Sequence, residues 1–225
     1  MKLNGSYDRS NRFWIGLSVL LIIALGAVTI GIHSQLLQEF DLHTAAFVQS
    51  YESPELTTIM EMITAIGSVK LAVLLGLIAG GLLYVIFRHR ADVIFLFGVL
   101  GGAAVFNQLL KYLIQRERPT VHFLVVEKGY SFPSGHTMGA VALYGAITFL
   151  LWEHISSRTG RIMLVTFNCL IVALIGVSRV YLGAHYPSDI IGALLASGLW
   201  LTLMIPCFQW YKKRQFGPTH KMLQI

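Results

Sequence analysis

A chain of 225 residues that is 55% hydrophobic and only 12% charged, with a mean hydropathy of +0.66, is too apolar for a soluble domain and reads as a single integral membrane unit over residues 1–225. Its formal net charge of +6 forms no basic stripe on a soluble surface, which argues against nucleic acid as a partner. The two cysteines, Cys169 and Cys207, fall inside apolar segments, where packing is expected rather than a disulfide or a metal site.

Six apolar runs can cross a hydrocarbon core of ~30 Å, which takes about 20 helical residues each. The first, residues 13–32, follows Lys2, Arg9 and Arg12 as a signal peptide would. Its apolar stretch is too long for one, and no small-residue cleavage pattern follows, so a retained helix is predicted. Residues 36–68 are neither oily enough to span nor polar enough to be disordered. Acidic Glu39, Asp41, Glu52, Glu55 and Glu61 alternate there with Phe40, Leu42, Phe47, Leu56, Ile59, Met60 and Ile63. Ser53-Pro54 reads as a helix start with proline at the first helical position. Two short amphipathic helices lying at the outer interface are predicted, with a folded external loop as the alternative.

The remaining spans are predicted at residues 69–87, 91–114, 137–152, 162–182 and 188–211, giving an all-α bundle of six transmembrane helices. Basic residues fix its orientation. With the N-terminus cytoplasmic, the inside holds Lys2, Arg9, Arg12, Arg88, Arg90, Arg158, Arg161, Lys212, Lys213, Arg214 and Lys221, 11 of the 17 Lys and Arg. The outside holds Lys70, Lys111, Arg116, Arg118, Lys128 and Arg179. Both termini are therefore expected in the cytoplasm of a multi-pass cell-membrane protein.

Three polar stretches interrupt the oily sequence at consecutive outer helix ends. On the third span Asn107, Gln108 and Lys111 are expected on one side by helical spacing. Arg118 lies seven residues beyond Lys111, about two turns if the helix runs on to Pro119. Single cations at such positions commonly snorkel. Pro133-Ser134-Gly135-His136 opens the fourth span, with Ser134 where an N-cap belongs and Gly135 allowing close approach to free backbone N–H groups, an arrangement suited to an anion. A purely structural imidazole has little reason to stand at His136. Arg179 closes the fifth span, His185 lies in the turn Gly183-Ala184-His185-Tyr186-Pro187, and Asp189 is in the first turn of the sixth. Asp189 can hydrogen-bond His185, fixing its tautomer and freeing the other ring nitrogen to attack. It could equally stabilise the helix N-terminus. Charged groups inside a membrane need partners or a task, and three cations with two imidazoles and one carboxylate suit phosphoryl transfer.

Taken together, Lys-x6-Arg-Pro, Pro-Ser-Gly-His and Ser-Arg-x5-His-x3-Asp resemble the three signature motifs of the type 2 phosphatidic acid phosphatase superfamily, with core motifs over residues 111–189. Within it, the chain is similar to the small six-helix bacterial lipid and undecaprenyl pyrophosphate phosphatases. The resemblance implies that His185 is the nucleophile, oriented by Asp189, and that a phosphohistidine forms and is hydrolysed. It implies that His136 protonates the leaving group, while Lys111, Arg118, Arg179, Ser134 and the Gly135 amide hold phosphoryl oxygens. The reaction would need no metal or other cofactor, because the cations do the work of Mg²⁺ and there is no carboxylate cluster to bind one. An outward-facing pocket at interface depth suits a lipid phosphate whose tail stays among the membrane lipids. Phosphatidylglycerophosphate, undecaprenyl pyrophosphate and phosphatidic acid all fit. A channel or transporter would spread its polar groups along a path through the bilayer, whereas these gather at one face. A vanadium haloperoxidase shares the anion pocket but is soluble.

Overall fold

The computed structural model describes residues 4–88, 90–120 and 122–216. Lys2 and Lys221 of the charge count lie outside them. The chain folds into α1 (Asn4–His33), α2 (Gln38–Gln49), α3 (Pro54–Ile66), α4 (Val69–Phe87), α5 (Arg90–Ile114), α6 (Gly135–Trp152), α7 (Arg158–Tyr181) and α8 (Pro187–Phe216). No strand occurs among the described residues. Six of the helices (α1, α4, α5, α6, α7 and α8) are long and apolar enough to span a membrane, and the two short ones fall within residues 36–68, as the sequence predicts.

Serine starts four of these helices. Ser53, Ser68, Ser134 and Ser157 each adopt an extended backbone and accept a hydrogen bond from the N–H three residues on. That satisfies one of the donors a helix N-terminus leaves free. At Ser53 the prediction of Pro54 as the first helical residue holds.

α6 is the hub, packed against α4, α5, α7 and α8, while α1 leans on α8. Small residues at the centre, Ala142 and Ala146 of α6 with Ala193 and Ala196 of α8, are buried and let backbones approach closely, which is how helices associate where lipid removes the hydrophobic drive. Toward the opposite end from the polar stretches, Phe95 stacks on Phe208 with centroids 4.5 Å apart, and Phe149 closes on both. Outside this core the spans expose large apolar side chains, such as Ile15, Ile23 and Ile30 on α1, a surface made for hydrocarbon. Cys169 and Cys207 lie on that exposed surface as free thiols.

The short helices are anchored on the bundle. The Tyr181 hydroxyl accepts from Ser53 N–H at 3.2 Å and bonds Thr57 Oγ1 at 3.0 Å, and Gln49 Nε2 donates to the Val180 carbonyl at 3.2 Å. Their exposed faces carry Phe40, Leu42, Phe47 and Ile59. Asp41, expected among the solvent-facing acids, is instead 1% exposed.

Two further expectations change. α5 ends at Ile114, and Gln115 turns the chain with φ +50, so Arg118 reaches its place from an irregular loop rather than from two further helical turns. Gln108 is exposed while Asn107 is buried, where it donates to the Pro133 carbonyl at 3.1 Å. The three side chains predicted together do not share one environment.

Candidate active site

Successive spans run in opposite directions, so the last turns of α5 and α7 and the first turns of α6 and α8 meet at one end. The segment 115–134 covers them. Two glycines seat it. Gly183 has φ +67, and a Cβ there would fall 2.0 Å from the His122 carbonyl oxygen; a Cβ on Gly192 would fall 2.2 Å from the Phe132 ring. Only a hydrogen side chain lets the segment close on α8 and on the turn before it. The Ser131 N–H donates to the Arg116 carbonyl at 2.8 Å and the Ser134 N–H to the Asp189 carbonyl at 3.2 Å, tying the segment's ends to the site.

At the centre lies His185, 1% exposed. Its Nδ1 faces Asp189 Oδ2 at 3.4 Å and Ser131 Oγ at 3.4 Å, and its Nε2 faces Arg118 Nη1 at 3.3 Å. With the proton on Nδ1, toward the carboxylate, the Nε2 lone pair points to the cations. Burial pushes the His185 pKa down, against the pull of Asp189 and with the help of Arg179 and Arg118, so the ring is neutral at physiological pH.

Asp189 is fully buried and saturated. Oδ2 accepts from Ser131 Oγ at 2.5 Å and from the Tyr186 N–H at 2.9 Å, and Oδ1 accepts from Arg116 Nη1 at 2.7 Å. Around His185 stand the cations. Arg118 donates from Nε to the Gly129 carbonyl at 3.0 Å and from Nη1 to the Ala184 carbonyl at 2.8 Å. Lys111 Nζ donates to the Tyr130 carbonyl at 2.5 Å. Arg179, 2% exposed, donates to Thr64 Oγ1 at 2.7 Å and to Glu127, and its buried Nε has no partner. Ser134 caps α6, accepting from Thr137 N–H at 3.4 Å, and places Gly135 and His136 on its first turn.

Glu127 sits among these groups. Its carboxylate pairs with Arg179, lies 3.3 Å from Arg118 Nη2 and 3.9 Å from His136 Nδ1. Burial disfavours its charge, but Arg179, His136, His185 and Arg118 outweigh that and hold its pKa below the usual carboxylate range. An internal anion therefore rests on the groups suited to a phosphoryl group.

The structure thus brings together all eight residues singled out from sequence: Lys111, Arg118, Ser134, Gly135, His136, Arg179, His185 and Asp189. Sequence reasoning missed Asp41, Thr64, Arg116, Glu127 and Ser131 as parts of the site. Only Arg116 carried a signal, as a second arginine two residues before Arg118. Among the described residues no group of three His, Cys, Asp or Glu side chains could hold a metal ion.

A neutral histidine held by a buried carboxylate, ringed by cations at the end of a membrane bundle, is an arrangement suited to phosphoryl transfer. A sequence model of the PAP2 superfamily matches residues 92–213, and the chain belongs to that superfamily. It is 32% identical over 185 residues to phosphatidylglycerophosphatase B of Bacillus subtilis, covering 81% of this chain and 90% of that protein. It is also 32% identical over 164 residues to the undecaprenyl-diphosphatase BcrC of the same organism, covering 70% and 78%. The crystal structure of a transmembrane PAP2-type phosphatidylglycerolphosphate phosphatase from Bacillus subtilis superposes with a TM-score of 0.80 at 30% identity, over 88% of this chain and 98% of that one. Aquifex aeolicus LpxE, at a TM-score of 0.59 and 21% identity over 74% and 95%, shares the fold.

Proposed function

We propose that the protein is a membrane lipid phosphatase that hydrolyses a lipid phosphate monoester or a polyprenyl pyrophosphate through a phosphohistidine on His185. The observation that carries this is the His185–Asp189 pair, with the free Nε2 turned toward Arg118 at the rim of the cation cluster. In the first step Nε2 attacks phosphorus in line, the bond to the leaving oxygen breaks, and His136 gives that oxygen a proton. In the second, water attacks phosphorus as the bond to His185 Nε2 breaks and returns its electron pair to the ring, and His136 takes a proton from that water. Lys111, Arg118, Arg179 and the α6 N-terminus neutralise the phosphoryl oxygens throughout. An apolar groove between α6, α7 and α8, lined by Val141, Val172, Ala173, Ile190 and Leu194, reaches Ile190, the neighbour of Asp189, and suits a hydrocarbon tail. The names of the relatives favour phosphatidylglycerophosphate and undecaprenyl pyrophosphate as substrates. Phosphate release from a panel of purified lipids, with His185→Ala as control, tests the proposal; no release from any lipid refutes it.

The chemistry is proposed to need no metal, because the cations already balance the charge that Mg²⁺ would otherwise meet. EDTA is expected to leave turnover intact. Orthovanadate, which takes the five-coordinate geometry of the transferring group, is expected to inhibit competitively. A chemical step strictly dependent on added Mg²⁺ would contradict this.

The charge bias supports both termini inside and the site outside. Val126 is 83% exposed beside the site, and Thr159 is exposed at the opposite end. With Cys169 and Cys207 removed, V126C is expected to react with an impermeant thiol reagent in intact cells and T159C only after permeabilisation. The reverse pattern overturns the orientation. On this arrangement an undecaprenyl pyrophosphate released outside meets the enzyme directly, whereas lipids made on the inner leaflet must first cross.

A further inference from the structure

The family match covers residues 92–213, yet one carboxylate of the catalytic region comes from outside it, on the short helix α2. Asp41 is 1% exposed. Its Oδ1 accepts from the Ser188 N–H at 2.8 Å, and its Oδ2 accepts from Ser188 Oγ at 2.6 Å and from Arg116 Nη2 at 2.6 Å. The same guanidinium donates through Nη1 to Asp189 Oδ1 at 2.7 Å and to Ser188 Oγ at 2.7 Å, and lies 4.2 Å over the Tyr186 ring. Two buried carboxylates thus share one arginine, and the second of them orients the nucleophile.

Neither partner is explained by α2 stability alone. A helix placed only by its apolar face would leave Asp41 toward water, since an isolated buried carboxylate carries a heavy desolvation cost. Here Asp41 meets a planar donor whose fork fits carboxylates on two sides. Ser188 fixes the geometry by bonding the same partners. Arg116 touches neither His185 nor the groups proposed to hold phosphate; it acts on Asp189.

We infer that Asp41 and Arg116 are positioning residues for catalysis, forming a carboxylate–guanidinium–carboxylate relay through which helix α2 fixes Asp189 and, through it, the His185 ring. This rests on His185 being the nucleophile, as proposed above. Asp41 aims the guanidinium, and Arg116 holds Asp189 Oδ1 so that Oδ2 stays turned to Nδ1. Arg116 also offsets part of the charge of Asp189 and so limits how strongly that carboxylate favours a protonated His185. The other charged groups facing His185 are Arg118 from segment 115–134, Arg179 from α7, Glu127 from segment 115–134 and His136 from α6; all remain in the variants below.

The test compares Asp41→Asn, Arg116→Gln and Arg116→Lys in the full chain, with the exposed Glu39→Gln of α2 as control, using a short-chain lipid phosphate. Asp41→Asn and Arg116→Gln are expected to lower kcat about tenfold or more with KM within about threefold, as misplaced catalytic groups do, while Arg116→Lys recovers part of the rate and Glu39→Gln changes nothing. In Arg116→Gln the acid limb of the kcat/KM profile is expected to move to higher pH, because Asp189, with its charge no longer offset, holds the proton on His185 more firmly. Misfolding scales such a profile without moving it. Unchanged kcat in both variants, or a lowered rate with an unmoved acid limb, overturns the relay. If wild type and His185→Ala release phosphate equally, it is the nucleophile assignment that fails.

Discussion

Alanine at His185 is expected to abolish phosphate release from every lipid, whereas alanine at His136 abolishes it only where the leaving group is poor. The two imidazoles differ in surroundings. His185 is sealed, with Nδ1 committed to Asp189 and Ser131, and burial keeps its pKa low, as a nucleophile requires. His136 stands half-buried on the first turn of α6 with its Nδ1 3.9 Å from the Glu127 carboxylate, the neighbour that favours the protonated ring a proton donor needs. Losing the nucleophile removes the covalent route for all substrates. Losing general acid catalysis costs typically ~10²–10⁴-fold, most for an alkoxide and least for a pyrophosphate, whose leaving group is a phosphate. The acid limb follows from His185: the neutral ring attacks, so the rate falls as pH drops through its pKa, and the lowered value places that fall below the usual imidazole range near 6.5. Stopped-flow release of phosphate, with chemistry shown to limit the rate, checks both points. Equal residual rates in the two variants, or an acid limb at or above the usual imidazole range near 6.5, would exclude the division of roles.

Why the sequence disclosed some of this and not the rest follows from distance along the chain. His185 and Asp189 are four residues apart, and Ser134, Gly135 and His136 are consecutive, so local geometry alone aligns them. The spans were legible because hydrocarbon demands long apolar runs, and α3 was legible because Ser53-Pro54 marks a helix start. Asp41, Ser131 and Glu127 meet their partners across 75, 58 and 52 residues, and nothing in the local pattern of an acid or a serine announces such a contact. Asp41 misled for a further reason. In an amphipathic helix a carboxylate is expected on the wet face, and here tertiary packing overrode that expectation by supplying an arginine. Arg118 comes close to His185 by a different route from a continued helix, since α5 stops at Ile114 and a turn at Gln115 carries the side chain there.

The second large effect is expected at Arg179. Its guanidinium is almost completely buried, holds Thr64 of α3 with one arm and Glu127 with the other, and keeps Nε without a partner, a donor that a phosphoryl oxygen can satisfy. On the mechanism proposed above, replacing it by alanine removes a preorganised positive group where negative charge grows in the transition state, worth about 10²–10³-fold in rate for one such donor. It also leaves the Glu127 carboxylate with less compensation, which repels an incoming phosphate further. Arg179→Lys is expected to restore only part of the loss, because an ammonium supplies charge without the fork. Glu127→Gln should act in the opposite sense on binding: removing the internal anion lets orthovanadate bind more tightly while Arg179 and Arg118 stay in place. Steady-state kcat/KM and vanadate inhibition, measured on all three variants in one detergent and at one ionic strength, separate these effects. An Arg179→Ala enzyme within about threefold of wild type would remove Arg179 from the phosphate clamp, and a Glu127→Gln enzyme that binds vanadate more weakly would mean that the carboxylate supports the anion's ligands rather than competing with it.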